Sequence, residues 1–294
     1  MNVACRCRAR WTLRLLPLAA VLVSTGCSSL MSSATARLAD SLEGAVLEQN
    51  DPEIVRQGAP AYLLLIDGLI ADDPDNVDLL LAGAALYSSY AGAFVDDPER
   101  AARLAVKGRD YGWRALCESE RRACDIWSAP YPEFERVIND MGGRKVPVLY
   151  GAGAAWATWI RSASDDWSAV ADKARVDAMM RRVVALDESY EGGAAYLYLG
   201  ILATLLPEAM GGNPEEGREA FERVIELSGG RHLMAKVLIA EKYARMVFDR
   251  ELHDRLCREV IEADPEAPSL TLVNVLAQAQ ARQLLEDSED YFGE

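Results

Sequence analysis

Few residues in this chain have a type and spacing that could carry out catalysis or hold a metal ion. The chain contains only two histidines, His232 and His253, and neither belongs to a set of partners at the spacing of a metal site. The glycine-rich segment Gly211-Gly212-Asn213 precedes a predicted helix but lacks the lysine of a phosphate-binding loop. These observations predict a protein that is not an enzyme and that needs no metal ion or other cofactor.

Two tryptophans on one predicted helix offer a different kind of site. Trp156 and Trp159 share a face at i, i+3 on a helix that is rich in glycine and alanine. Because ligand pockets are mostly apolar with few polar anchors, this face is a candidate wall of an apolar cavity. Tyr150 and Tyr196 are further candidates for the same cavity. Tight packing of helices through small residues is the alternative interpretation.

A polar stripe near the carboxyl terminus is a second candidate lining. Asn274, Gln278 and Arg282 repeat at i, i+4 and i+8 on a predicted helix that is otherwise rich in leucine and alanine. The stripe carries three hydrogen-bonding groups and no acidic one in a very acidic protein. A ligand-lining or docking role is one interpretation, and an ordinary solvated helix face is the other.

The first 26 residues have the composition of a secretory signal peptide. Four arginines and no acidic residue accompany a short apolar run, residues 15–23, which cannot span a bilayer permanently. The end of this segment, Ser24-Thr25-Gly26-Cys27, resembles the lipobox of bacterial lipoproteins, although Ser24 stands where leucine is usual. We therefore predict a signal peptide over 1–26, a lipidated Cys27 and a flexible tether over 27–36. An ordinary cleaved signal with an incidental cysteine is the alternative.

The charge of the chain limits its partners. Its net charge is −15, and loss of the four arginines of the signal would make it −19. A body this acidic will not bind nucleic-acid phosphates, so we expect no nucleic-acid partner. No later segment is expected to be apolar for long enough to cross a membrane, so the lipid would be the only membrane attachment.

Cysteines beyond the lipobox predict one structural bridge. An oxidising compartment permits a disulfide between Cys117 and Cys124, and two free buried thiols are the alternative. Cys257 lies in a helical pattern and is predicted to be a small core residue.

One local signal recurs along the chain and predicts helix starts. An Asp or Asn that can cap a helix is followed by a proline suited to the first helical position and by an acid that faces the positive end of the helix dipole. Segments between these signals carry apolar residues at helical spacing. We predict one all-α domain over 37–294. The five signals are Asp51-Pro52-Glu53, Asp73-Pro74-Asp75, Asp97-Pro98-Glu99, Asn213-Pro214-Glu215 and Asp264-Pro265-Glu266.

The spacing of the predicted helix pairs resembles tetratricopeptide (TPR) repeats, which have a period of about 34 residues. In the clearest copy, Tyr196, Leu199 and Gly200 occupy the first helix, and Phe221 and Val224 the second. A small residue in such a pair lets two helices approach while the aromatic fills the adjoining gap. We therefore predict TPR-like hairpins in a compact bundle or solenoid, with a plain helical bundle as the alternative.

An ordered set of short segments resembles the TRAP-transporter-associated lipoproteins, the TatT component. The match covers most of the mature chain and is strongest from about Val146 onward. The segments are Leu149-Tyr150, Ala155-Trp156, Leu186-Asp187, Gly192-Gly193, Leu206-Pro207, Gly211-Gly212, Phe221-Glu222-Arg223, Leu227-Ser228-Gly229-Gly230, Tyr243-Ala244, Asp249-Arg250-Glu251, Leu272, Asn274, Ala277-Gln278, Ala281-Arg282 and Leu285.

This resemblance implies a lipid-anchored, periplasm-facing protein of the cell envelope that forms homotrimers. It implies a hydrophobic pore through each subunit and docking to the periplasmic solute-binding (P) component of a TRAP transporter. The expected role is then assistance in the uptake of an apolar or amphipathic organic acid. A TPR scaffold lipoprotein that organises envelope complexes and binds no small molecule is the alternative. Ser28, where an Asp often retains lipoproteins in the inner membrane, favours the outer membrane.

Overall fold

The structure, a computed structural model, describes residues 44–163 and 166–293, and within them it is all-α, as predicted. The predicted signal peptide 1–26, the lipidated Cys27, the tether 27–36 and the predicted domain start at residue 37 lie outside these residues. The α-helices are α1 Pro52–Asp72, α2 Val77–Phe94, α3 Pro98–Ser119, α4 Tyr131–Asn139, α5 Val146–Ser162, α6 Trp167–Ala171, α7 Lys173–Leu186, α8 Ala194–Ala203, α9 Pro214–Leu227, α10 Leu233–Leu238, α11 Arg250–Glu262, α12 Thr271–Glu286 and α13 Ser288–Phe292.

Three of the five predicted helix starts are confirmed, each with the predicted cap. The side chains of Asp51, Asp97 and Asn213 each accept a hydrogen bond from a backbone N–H two or three residues later, at 2.9, 2.6 and 3.2 Å. A proline follows each cap at the start of the helix. The caps satisfy N–H groups that have no partner inside the helix, which fixes where α1, α3 and α9 begin.

The other two predicted starts, at Asp73 and Asp264, are wrong. Asp73 ends α1, and the next helix is capped by Asn76, whose side chain accepts from two backbone N–H groups of α2. Asp264 makes the local hydrogen bond of a cap, yet no helix follows until Thr271. Pro268 explains this difference, because a proline disfavours the helical conformation in the residue before it.

Small residues bring neighbouring helices close together, as the hairpin prediction required. A methyl group added at Gly200 of α8 would overlap the ring of Phe221 of α9. In the same way, an added Cβ at Gly108 of α3 would lie 3.2 Å from the carbonyl oxygen of Ala84 of α2. These approaches confirm close helix pairs, while their assignment to the TPR family stays a prediction.

Buried apolar residues form three clusters. One is centred on α5 and α7, one joins α1, α2 and α3, and one lies among α9, α10, α11 and α12. A π-helix, Ile239–Ala244, continues α10 within the third cluster. The clusters share α5 and α9, so they form one continuous core within the described part of the chain.

The helices make a closed circuit. Successive contacts run from α1 through α2, α5, α8, α9 and α10 to α12, and α12 returns to α1. Leu272 of α12 is buried in the same cluster as Leu63 of α1 and Leu80 of α2. Just before α1, the carboxylate of Glu48 accepts hydrogen bonds from the backbone N–H of Ser269 at 2.6 Å and from the hydroxyl of Thr271 at 3.3 Å.

By length and apolar composition, α1 and α2 could each cross a membrane. The expectation that no segment after the signal meets this criterion is therefore wrong. Half of the apolar stretch of α2 is buried in the domain, which gives its composition a role in the core. Only 22% of the corresponding stretch of α1 is buried, and Leu64 and Leu65 are 74% and 46% exposed.

Candidate functional site

Three tyrosines from three elements meet in the domain. Tyr150 lies near the start of α5, Tyr198 lies in α8, and Tyr190 begins the 3₁₀ turn Tyr190–Gly193 that precedes α8. The ring centroid of Tyr150 is 5.3 Å from that of Tyr190 and 6.0 Å from that of Tyr198, and both pairs meet edge to face. We call these three side chains the tyrosine recess.

A left-handed turn positions one side of the tyrosine recess. Glu191, Gly192 and Gly193 have φ values of 49°, 64° and 85° in succession. The two glycines adopt this conformation without strain, whereas for glutamate it is unusual. An added Cβ at Gly193 would also meet the side chain of Leu227 in α9. The Gly-Gly pair therefore directs the chain from Tyr190 into α8 beside α9.

The tyrosine recess is both partly accessible and strongly desolvated. Each of its side chains keeps part of its surface accessible. Burial nevertheless raises the pKa of Tyr150 well above its ordinary value, and the charge of Glu191 adds to the rise. Burial also raises the pKa of Tyr198, which the charge of Arg161 opposes. These hydroxyls therefore stay protonated at physiological pH, and those of Tyr150 and Tyr198 interact with each other by a hydrogen bond.

The two predicted tryptophans belong to a layered aromatic stack. The ring of Trp156 is parallel to that of Trp127, with centroids 4.6 Å apart. The guanidinium carbon of Arg109 lies 4.9 Å from the Trp127 ring and 4.3 Å from the Trp159 ring. Trp156 is therefore linked to Trp159 through Trp127 and Arg109, and the two predicted residues do not make a continuous aromatic wall.

Trp156 lies in the core. It is 1% exposed and meets Trp113 and Phe134 edge to face at 5.5 and 6.2 Å. Its indole nitrogen has no hydrogen-bond partner in the described part of the chain. These contacts favour the packing alternative for Trp156. Trp159 is half-buried beside Arg109 and stays a ligand candidate.

Asn274 and Gln278 bind backbone groups. The Asn274 side chain accepts a hydrogen bond from the N–H of Leu233 at 3.0 Å and donates to the carbonyls of Arg231 and Pro265 at 2.9 and 3.1 Å. Gln278 donates to three carbonyl oxygens at the end of α11, the nearest at 2.8 Å. Both residues are buried, so they tie α12 to the ends of α10 and α11.

The remaining predicted candidates do not converge. Arg282 is exposed, unlike Asn274 and Gln278, so the predicted stripe has no common environment. The hydroxyl of Tyr196 lies 3.4 Å from a carboxylate oxygen of Glu188, at an exposed position. Of the seven predicted ligand residues, only Tyr150 belongs to the tyrosine recess.

Cys117 and Cys124 are joined by a disulfide in the structure, with their Cα atoms 4.6 Å apart. The bridge connects the end of α3 to the residue after the short 3₁₀ helix Arg121–Ala123. Cys257 is a free, fully buried cysteine, and burial raises the pKa of its thiol to about 11. The oxidation state of the pair in solution stays a prediction.

Sequence reasoning missed Tyr190, Tyr198 and Arg109. The signal available for the tyrosines was local composition, since Tyr190, Tyr196 and Tyr198 fall within nine residues on both sides of the Gly-Gly pair. Arg109 carried no signal, because a single arginine in an amphipathic helix normally faces solvent. In residues 44–163 and 166–293, no group of three or more His, Cys, Asp or Glu side chains is arranged to hold a metal ion.

Comparisons with known proteins identify a relative and a family. The chain is 25% identical over 264 residues to a protein of Treponema pallidum (strain Nichols) that is described only as "Uncharacterized protein", and the match covers 83% of this chain and 81% of the relative. The family described as TRAP transporter T-component matches residues 48–292, which is nearly all of the helical domain. The chain therefore belongs to the TRAP transporter T-component family.

Proposed function

We propose that this protein is a lipid-anchored, periplasm-facing accessory of a TRAP transporter that binds the solute-binding P component and an apolar organic acid. The family match over residues 48–292 carries this proposal and gives the protein an accessory role with such a transporter. The P component, the ligand, the homotrimer and the anchor are the proposed parts. We also propose that the protein has no catalytic activity of its own.

The tyrosine recess is the observation that supports binding of an organic acid. Two desolvated phenols, Tyr150 and Tyr198, offer hydrogen bonds to a carboxylate, and their rings offer apolar surface to a hydrocarbon chain. Such a site keeps the same donors across physiological pH, because neither phenol ionises there.

Octanoate is a suitable probe for the tyrosine recess. We expect Tyr150→Phe and Tyr198→Phe each to weaken octanoate binding about tenfold, since one lost hydrogen bond to a charged group corresponds to about 1.5 kcal/mol or more. Tyr196→Phe is the matched control, because its hydroxyl faces Glu188 and not the recess. Isothermal titration calorimetry measures the affinities. Equal octanoate affinities in all three variants would show that the tyrosine recess is not the binding site.

The exposed apolar face of α1 supports the proposal that the protein binds a protein partner. Ile54, Leu64 and Leu65 are 57%, 74% and 46% exposed, which is unusual for large apolar side chains on one helix. Leu64→Glu with Leu65→Glu should therefore abolish capture of the purified P component by the immobilised protein. Met210, in the turn between α8 and α9, is 57% exposed and lies outside this face, so Met210→Glu serves as the control. Native mass spectrometry of the same variants reports whether the face instead joins copies in the proposed homotrimer.

The proposed lipid anchor rests on the sequence alone. With Cys27 replaced by alanine, the protein should no longer partition into detergent after expression in a bacterial host. Equal partitioning of the two forms would reject lipidation. Fractionation of the membranes tests the outer-membrane placement, which rests on Ser28.

The α1 face also favours the second candidate, a TPR scaffold without a small-molecule ligand. A scaffold would retain protein capture through α1 and show no octanoate binding in the wild type. The titration and the capture experiment therefore separate the two candidates.

A further inference from the structure

A bulky side chain occupies a helix end of a kind that is usually taken by glycine. The helix that continues α10 through the π-helix Ile239–Ala244 ends at Phe248, which has a φ of 60°. The N–H of Phe248 donates to the carbonyl of Arg245 at 3.3 Å, and the N–H of Asp249 donates to that of Ala244 at 2.8 Å. This pair of hydrogen bonds ends a helix on a left-handed residue, a conformation that is strained for phenylalanine.

The end of α9 provides an internal comparison. The backbone N–H of Gly230 donates to the carbonyl of Ile225 at 2.7 Å, as in the turn at Phe248. The left-handed residue of that turn is Gly229, with a φ of 61°, and glycine adopts this conformation without strain. Core packing does not account for phenylalanine at position 248, because this residue is 64% exposed. Strain that is kept at an exposed position indicates a function for the ring itself.

The Phe248 ring belongs to an exposed apolar surface, the carboxyl-terminal patch, which consists of Val247, Phe248, Tyr291 and Phe292. The ring centroid of Phe248 lies 5.2 Å from that of Phe292 and 6.4 Å from that of Tyr291. Val247 and Tyr291 are 46% and 45% exposed. Phe292 is half-buried, and its ring lies 5.1 Å from that of the fully buried His253, which attaches the patch to the core. Exposed aromatic side chains in mutual contact are typical of a surface that binds another protein.

Exposed carboxylates flank the carboxyl-terminal patch. Asp249 directly follows its first two residues, and Asp287 and Asp290 lie at the start of α13. Of the two arginines close by in the sequence, Arg245 stacks against an aromatic ring of the patch, and Arg250 already pairs with two other carboxylates. Apolar surface beside negative charge fits a partner that carries apolar side chains beside lysine or arginine. A second copy of this chain fits poorly, because a symmetric contact would place these carboxylates against their own counterparts.

We propose that the carboxyl-terminal patch binds a cationic amphipathic segment of another protein. The apolar side chains of the segment lie against the aromatic rings, and its lysine or arginine side chains lie beside the flanking carboxylates. The rings supply most of the affinity, whereas the carboxylates speed association and select the sign of the partner's charge. The patch is built from other elements than the tyrosine recess and the α1 face, so this proposal does not depend on either.

An amidated peptide of leucine and lysine, arranged as an amphipathic helix of about four turns, is the probe. The same peptide with glutamate in place of lysine is the blank. Biolayer interferometry measures binding to the full chain in phosphatidylcholine nanodiscs, with the signal of empty nanodiscs subtracted. The lysine peptide should bind saturably, and Phe248→Gly should weaken that binding at least about tenfold. Met210→Gly, at an apolar residue that is 57% exposed elsewhere, should bind as the wild type does.

Phe248→Gly also separates binding from folding. Because glycine is unstrained at this helix end, the variant should be at least as stable as the wild type in thermal unfolding while it loses the peptide. Asp287→Asn with Asp290→Asn should lower the affinity several-fold and reduce its dependence on salt. Asp72→Asn with Asp75→Asn removes the same charge at exposed positions outside the patch and should change neither.

The same preparations give the outcomes that would overturn the proposal. Absence of saturable binding of the lysine peptide, equal binding by Phe248→Gly, or a less stable Phe248→Gly protein would each do so. Without peptide binding, a Phe248→Gly protein that loses its oligomer in native mass spectrometry would assign the patch to a second copy. Binding of phosphatidylcholine vesicles that depends on Phe248 would assign it to a lipid surface, and both results would reject the cationic segment.

Discussion

Gly200 in α8 lies directly against the ring of Phe221 in α9, and the ring occupies the space that any side chain at position 200 would need. Gly200→Ala should therefore lower the free energy of unfolding by about 1–3 kcal/mol, since forcing extra atoms into a packed contact typically costs that much. Urea denaturation followed by circular dichroism measures the change.

Gly68 provides the control for this substitution. It lies inside α1, and an added Cβ would meet nothing within 4 Å. Gly68→Ala should stabilise the protein by about 0.5–1 kcal/mol, because alanine has the higher helix propensity. Similar effects of the two substitutions would show that the Gly200–Phe221 contact is not tight.

Asn274 is expected to matter for stability. Asn274→Ala leaves buried backbone groups at Leu233, Arg231 and Pro265 without partners, at about 1–3 kcal/mol for each group that water cannot reach. Arg282→Ala, one exposed position in the same predicted stripe, should change stability by less than about 0.5 kcal/mol. Thermal unfolding compares the two. An Asn274→Ala protein of normal stability with impaired octanoate binding would return this residue to the ligand site.

His232 should make the fold sensitive to mild acid. Burial lowers its pKa from 6.5 to about 4. Below pH 6.5 the unfolded chain binds a proton that the folded chain refuses, so stability falls as the pH drops from about 6.5 to about 4. The full loss is about 3 kcal/mol. His232→Gln should flatten this part of the profile, as measured by urea unfolding at pH 7, 6 and 5. If the free energy of unfolding changed equally with pH in the variant and in the wild type, His232 would bind its proton equally well in the folded and unfolded chain.

The cysteine pair predicts a thiol count. In denatured mature protein with a lipidated Cys27, one thiol, that of Cys257, should react before reduction and three after it. Replacing Cys117 and Cys124 together by alanine should cost about 2 kcal/mol, the entropy released when a short loop is no longer closed. Three reactive thiols without reductant would establish the alternative of two free cysteines.

Local rules predicted much of the fold. Asp51, Asp97 and Asn213 are caps whose partners lie within three residues, so sequence alone specifies them. The rule failed at Asp264 because a second proline, Pro268, competes with it. Such local rules could not predict contacts between residues that are far apart in the chain. Periodicity placed Asn274 and Gln278 on one face of α12, but it could not reveal that this face meets the open ends of two other helices.

The tyrosine recess shows the same limit. Tyr150 was a candidate, yet its partners Tyr190 and Tyr198 are 40 or more residues away along the chain, and their approach depends on how α8 is set by the left-handed turn at Gly192 and Gly193. Trp156 and Trp159 share a helix face, and the insertion of Trp127 and Arg109 from other elements decides what that face contacts.

The contact between α12 and α1 restricts how this protein can change in evolution. An open stack of helix pairs can be lengthened or shortened by duplication or loss of a pair at either end. In this protein the first and last helices of the circuit contact each other, and Glu48 accepts a hydrogen bond from Ser269. An added helix pair would have to break this contact or widen the whole circuit. The contact between α12 and α1 therefore fixes the number of helix pairs. Differences in length among relatives should accumulate in connecting turns, such as the one between Leu206 and Gly212.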